Sequence, residues 1–113
     1  MPHCIIEYSK ELENKIKPTE LIDKVYRGTL KSNLFEDEDI KTRTIEFENH
    51  QTGNKKINFI NVTVRILSGR SQELRQLLSK SILNEFEDIN IQAISITIEI
   101  CEIEKESYSK LVL

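Results

Sequence analysis

The sequence predicts an α+β fold with the element order β-α-β-β-α-β. Three observations carry this. Ile94, Ile96, Ile98 and Ile100 alternate with Ser95, Thr97, Glu99 and Cys101, the period of a strand. Ile60, Val62, Val64 and Ile66 repeat that period upstream. Two stretches, opening near Pro18 and Ser71, carry apolar residues at helical spacing instead. The chain therefore reads as two β-α-β halves of similar length, with right-handed crossovers expected. Its 113 residues suffice for one domain, 1–113.

The first strand is expected over residues 2–8, where His3-Cys4-Ile5-Ile6-Glu7-Tyr8 alternates. A polar stretch follows. Pro18 suits the first turn of a helix, and Leu21, Ile22, Val25 and Leu30 form its apolar stripe, with Gly28 an apparent weak point. Ser32, Asn33 and the acidic run Glu36-Asp37-Glu38-Asp39 mark its exit, the run reading as a solvated loop. Residues 41–48 form a second strand, with Lys41, Arg43, Ile45 and Phe47 on one face and Thr42, Thr44, Glu46 and Glu48 on the other. A polar connection holds His50, expected exposed, and Gly53. The third strand, residues 57–67, turns Phe59, Asn61, Thr63 and Arg65 away from its apolar face. Ser71 is a natural N-cap for the second helix. Leu74, Leu77, Leu78, Ile82 and Phe86 are expected on its buried face, with Glu73 and Arg75 exposed.

A net charge of −3, with Lys and Arg scattered among Asp and Glu, argues against a nucleic-acid binder. No apolar run is long enough to span a bilayer, and no charged segment followed by an apolar one opens the chain as a secretory signal. A cytoplasmic protein is expected. Cys4 and Cys101 lie far apart without ligand spacing, which reads as two reduced thiols and no metal site.

Two features carry chemistry. With Met1 removed, Pro2 becomes a free secondary amine fixed at a strand end. Desolvation and a nearby cation would lower its pKa toward neutrality, as a general base requires. With Met1 attached, the same nitrogen is an amide and no base. Gly69-Arg70-Ser71 lies between a strand pattern and a helix pattern. An arginine there, next to a helix N-terminus, can meet a carboxylate with two parallel bonds.

These features sit within M-P-H-C-I-I-E-Y-S at the start, I-K-T-R over Ile40–Arg43 and V-T-V-R-I-L-S-G-R-S-Q-E-L-R-Q over Val62–Gln76. In this order the chain resembles the 5-carboxymethyl-2-hydroxymuconate delta-isomerases of the tautomerase superfamily. The resemblance runs across nearly the whole chain and is weakest in the last ten residues. It implies a single tautomerase-like domain: two β-α-β units forming a mixed four-stranded sheet, both helices on one face, three such chains making a homotrimer. It also implies an isomerase that moves a proton within a small unsaturated keto acid, with Pro2 as base and no metal or cofactor.

Arg70 is then expected to bind a substrate carboxylate. The family's second arginine lies on the second strand, where this chain offers Lys41 and Arg43. Both face the same way, so either can take the role; if it is Lys41, the two-pronged contact is lost. Periodicity alone also allows a ferredoxin-like arrangement, in which strands 41–48 and 57–66 form an adjacent hairpin. The functional alternative is a non-catalytic trimer of the same fold that binds a small acid or a protein. His3 is a possible neighbour of the base, or a strand histidine bonded elsewhere.

Overall fold

The computed structural model describes residues 1–113. Four strands form one sheet in the order β2-β1-β3-β4. They are β1 (His3–Ser9), β2 (Lys41–Phe47), β3 (Asn58–Leu67) and β4 (Ile94–Ile103). The helices are α1 (Pro18–Lys31) and α2 (Gln72–Asn84). β1 runs parallel to β2 and antiparallel to β3, and β3 runs parallel to β4. Each half is thus a β-α-β unit, and the two units meet at β1 and β3. The hairpin alternative is excluded, because β2 and β3 are not neighbours.

Alternation decides what the sheet buries. Cys4, Ile6 and Tyr8 of β1 and Ile60, Val62, Val64 and Ile66 of β3 are buried on one face. Leu21 and Val25 of α1 and Leu78 and Ile82 of α2 close over them in the same core, with Ile94, Ile96, Ile98 and Ile100 of β4 packed at its side. Each such side chain contributes about 1.5–3 kcal/mol by leaving water. The opposite face carries His3, Arg43, Phe47, Asn61, Thr63 and Glu99, and no helix of the chain covers it. There Asn61 donates to Glu99 at 3.2 Å and accepts from Thr97 at 2.6 Å.

Gly28, the apparent weak point of α1, is a requirement of the helix crossing. A Cβ at this position would stand 2.6 Å from the Cα of Ile82 and 2.9 Å from the carbonyl oxygen of Ser81. Ser81 Oγ in turn donates to the carbonyl of Gly28 at 2.6 Å. Gly28→Ala gains about 1 kcal/mol of helix propensity but forces two backbones apart. A net loss of roughly 1–2 kcal/mol is expected, measured as a lower denaturation midpoint with unchanged slope.

Four sequence expectations need correcting. On α2 the buried stripe is narrower than expected: Leu78 and Ile82 are buried, while Leu74 and Leu77 are exposed. Leu77 stands about 100° around the helix from Leu78 and so leaves the sheet-facing side. Arg75 is half-buried, its guanidinium 3.6 Å from Glu102 at the end of β4. The acidic run is more than solvated loop. Asp37–Asp39 forms a short 3₁₀ turn, Tyr26 donates to Asp37, and Asp39 pairs with Lys110 at 3.2 Å.

His50 is the fourth. Its side chain is only 7% exposed. It packs on Phe59 with ring centroids 5.5 Å apart and lies 3.0 Å from Glu11, which also meets Lys56 at 2.9 Å. The polar composition of residues 49–55 hid this burial, because the covering ring belongs to β3.

Candidate active site

Strand direction creates the site. β1 and β2 begin at the same edge of the sheet, and β3 and β4 end there. Pro2, the turn into α2 and the segment after β4 are therefore brought together from positions 2, 70 and 108. A cleft of about 490 Å³ lies at this edge, lined by residues that include Met1, Leu34, Phe35, Leu67, Arg70 and Tyr108. Glu36 and Asp39 of the acidic run and Lys110 also contribute to its wall.

Pro2 is fully buried and directly precedes β1, its carbonyl accepting from the Lys41 N–H at 3.1 Å. The Met1 amine donates to the carbonyl of Asp39 at 3.4 Å. Burial, then the charges of Lys41 and Lys110, hold this amine's pKa below its usual value. Arg70 reaches the same cleft. Gly69 before it adopts φ +121°, a conformation that side chains disfavour, and this turns the chain from β3 into α2. Ser71 caps α2 as expected, its Oγ accepting from the Leu74 N–H at 3.2 Å. Arg70 Nη2 donates to the carbonyl of Leu34 at 3.0 Å, and its guanidinium lies 4.9 Å from the centre of the Phe35 ring. A carbonyl and a ring hold the group in place, and no carboxylate neutralises it.

Lys41 and Arg43 do not join Arg70 in the cleft wall. Both are exposed and rise from the sheet face away from the helices, as the register His3↔Lys41 and Ile5↔Arg43 requires. Lys41 Nζ donates to the carbonyl of Asp39 at 3.4 Å. Arg43 Nη1 lies 3.2 Å from His3 Nδ1, and His3 Nε2 lies 3.1 Å from the Tyr108 hydroxyl. His3 also pairs across the sheet with Arg65. One edge of the sheet thus presents Lys41, His3 and Arg65 on adjacent strands, with Arg43 one step inward. Burial and then Arg43 hold the His3 pKa below the usual histidine value, with Lys41, the N-terminal amine and Arg65 adding to the effect.

Sequence reasoning missed Arg65, Phe35, Lys110 and Tyr108 at this edge. Arg65 was readable as outward-facing, but its neighbours follow only from the register. Tyr108 carries no local motif; its place depends on where β4 ends.

The family model for 5-carboxymethyl-2-hydroxymuconate isomerase matches residues 2–111. The chain belongs to this family. Solved structures agree at the level of fold. A 5-carboxymethyl-2-hydroxymuconate delta-isomerase superposes with a TM-score of 0.84 at 15% identity, over 99% of this chain and 88% of that one. A 5-carboxymethyl-2-hydroxymuconate isomerase from Deinococcus radiodurans R1 gives 0.79 at 21% identity, over 97% and 88%. A symmetric trimer of fused 4-OT gives 0.78 at 12% identity, over 96% and 90%. No curated protein matches the chain. Family and fold together support an isomerase or tautomerase function. No helix is long and apolar enough to cross a membrane.

Proposed function

We propose that the chain, freed of Met1, moves a proton within a small unsaturated keto acid of the 5-carboxymethyl-2-hydroxymuconate type. Pro2 is the base and Arg70 the carboxylate anchor. The observation that carries the reading is a convergence: Met1, next to Pro2, and a guanidinium with no carboxylate partner line one cleft. The neutral Pro2 nitrogen takes a proton from the carbon next to the ketone. The electron pair left behind moves through the conjugated system onto the carbonyl oxygen. The prolinium then returns the proton at the far end of that system, which restores the ketone and the free amine.

The setting favours a neutral amine. The burial and the lysine charges that lower the pKa of the Met1 amine act on the same end of β1. A nitrogen that belongs to the backbone of a paired strand also has little freedom to lose on reaching the transition state. Arg70 offers the remaining edges of its guanidinium, since one N–H is engaged with Leu34. Which of Lys41 and Arg43 serves as second anchor depends on assembly, because both stand on the uncovered sheet face. We propose a homotrimer that packs these faces together, in line with the trimeric 4-OT relative. Static light scattering checks this; a monomer at micromolar concentration overturns it.

The second reading is a trimer that binds a small acid without turning it over. It is the reading that holds if Met1 stays attached, since an acylated Pro2 has no basic lone pair. Intact mass of natively expressed protein separates the two. Loss of methionine supports catalysis and its retention rejects it. Keto–enol acids followed by ultraviolet absorbance then test turnover, and Pro2→Ala should lower it by about 10² to 10⁴ with the fold intact. Equal activity in Pro2→Ala sinks the mechanism.

A further inference from the structure

The reaction above leaves one charge unattended, the negative charge that grows on the ketone oxygen. A group beside the cleft is set to meet it, and hydrogen-bond logic fixes its direction. Arg43 has only donors, and its Nη1 lies 3.2 Å from His3 Nδ1, so Nδ1 must accept. A neutral imidazole carries a single N–H, which then belongs to Nε2. Nε2 lies 3.1 Å from the Tyr108 hydroxyl, so its N–H donates and the phenol oxygen accepts. The phenol's own hydrogen is thereby turned away from His3. No other acceptor in the chain takes it, and Tyr108 lines the cleft that holds Met1 and Arg70.

We propose that Tyr108 donates this free O–H to the substrate's developing oxyanion, with His3 and Arg43 as positioning residues that set its direction. The inference rests on the isomerase reading above. His3 suits the task because it stays neutral among cations. Arg43, Lys41, Arg65 and the N-terminal amine all face it, and no carboxylate does. A protonated imidazole would still donate to the phenol, but it would also drive Arg43 away. The ring packing agrees with a directed contact, the two rings meeting edge to face with centroids 6.3 Å apart. Donors of this kind act where charge develops, so their effect belongs to turnover and not to substrate affinity.

Two measurements test the proposal. Long-range proton–nitrogen NMR of the wild-type protein reads the His3 tautomer directly. The Nε2–H form is expected, and Arg43→Met should mix in the Nδ1–H form. An Nδ1–H tautomer in the wild type overturns the proposal whatever the activity. The second is steady-state kinetics of Tyr108→Phe, which keeps the ring and loses the hydroxyl. The expected result is a kcat lower by about 10²-fold, as for loss of one oxyanion donor, with KM changed little. Wild-type kcat in Tyr108→Phe, or a rise in KM alone, also overturns it. Failure of the isomerase reading looks different. It appears as a wild type inactive on every keto acid, or as full activity in Pro2→Ala, before any Tyr108 variant is compared.

Discussion

At the far end of β1, His50 lies against Phe59 and bonds to Glu11, which Lys56 also pairs. At the near end, His3 lies against Tyr108 and faces Arg43, with Lys41 and Arg65 close by and Arg70 in the cleft that Tyr108 lines. Both ends hold a histidine, an aromatic ring and cations. Only the far end supplies a carboxylate to its histidine. There Glu11 is shared by His50 and Lys56, and the cluster fastens the connection between β2 and β3 to the segment after β1. At the near end, the carboxylates of the cleft wall are answered differently. Asp39 is paired with Lys110, and Arg70 is held by a carbonyl and a ring. Positive charge is left over where the strands begin. A closed cluster contributes to folding, whereas an unneutralised one leaves room for the anion that the proposed reaction requires.

Substitutions at the two ends should therefore separate activity from stability. Beyond Pro2→Ala and Tyr108→Phe, the largest effect is expected at Arg70. Arg70→Ala removes a charge-assisted bond worth about 1.5–3 kcal/mol, so kcat/KM on a keto acid should fall roughly ten- to a hundredfold or somewhat more. Arg70→Lys should recover only part, since a point charge cannot match the fork. Thermal unfolding should barely move in either variant. Full activity in Arg70→Ala at limiting substrate would erase the contrast between the ends.

His50→Ala should show the reverse. It empties a nearly buried site beside Phe59 and strips Glu11 of a partner, for a loss of about 1–3 kcal/mol in stability. Activity at temperatures where the variant is folded should match wild type. A large loss of turnover in folded His50→Ala would mean that the ends are coupled.

The smallest effect sharpens the contrast by pH. His50 and Lys56 hold the Glu11 carboxyl at about 2, below its usual 4.5. The folded state thus binds this proton less readily than the unfolded chain. The stability from Glu11 is fully present above about 4.5 and is lost as pH falls toward 2. Glu11→Gln should flatten that part of an acid-unfolding profile and leave the neutral-pH rate alone. An unchanged acid limb would show that the cluster is too solvated to matter.

Much of this fold was legible because a sheet covered on one face writes its register into the sequence. Ile60 to Ile66 and Ile94 to Ile100 name the buried face without ambiguity, and Ser71 names a helix start. The α2 stripe was over-read at Leu74 and Leu77, since leucines at helical spacing do not reveal how far a helix overhangs its sheet. Gly28 looked like a defect because its partner, Ile82, lies on another helix. In the cleft, Pro2 and Arg70 could be singled out from local motifs. Tyr108, Arg65 and the roles of Lys41 and Arg43 could not, because their meeting depends on strand direction across more than sixty residues. The choice between Lys41 and Arg43 stays open for the same reason on a larger scale, since both stand on the face where other chains are expected.

β1 is made first yet lies inside the sheet, flanked by β2 and β3. Its antiparallel partner begins only at Asn58. A ribosome adding about 5–20 residues per second needs several seconds to cover that separation. Through that interval β1 gains at most its parallel partner β2, made at Lys41–Phe47, and cannot yet lie inside a sheet. In the finished fold Pro2 is fully buried, so the Met1–Pro2 bond is best reached while the chain is still being made. Topology thus sets a window for the removal of Met1 that the proposed mechanism requires. Refolding purified protein that still carries Met1 should restore the sheet without opening that window again, whereas slowing translation between residues 9 and 58 should lengthen it.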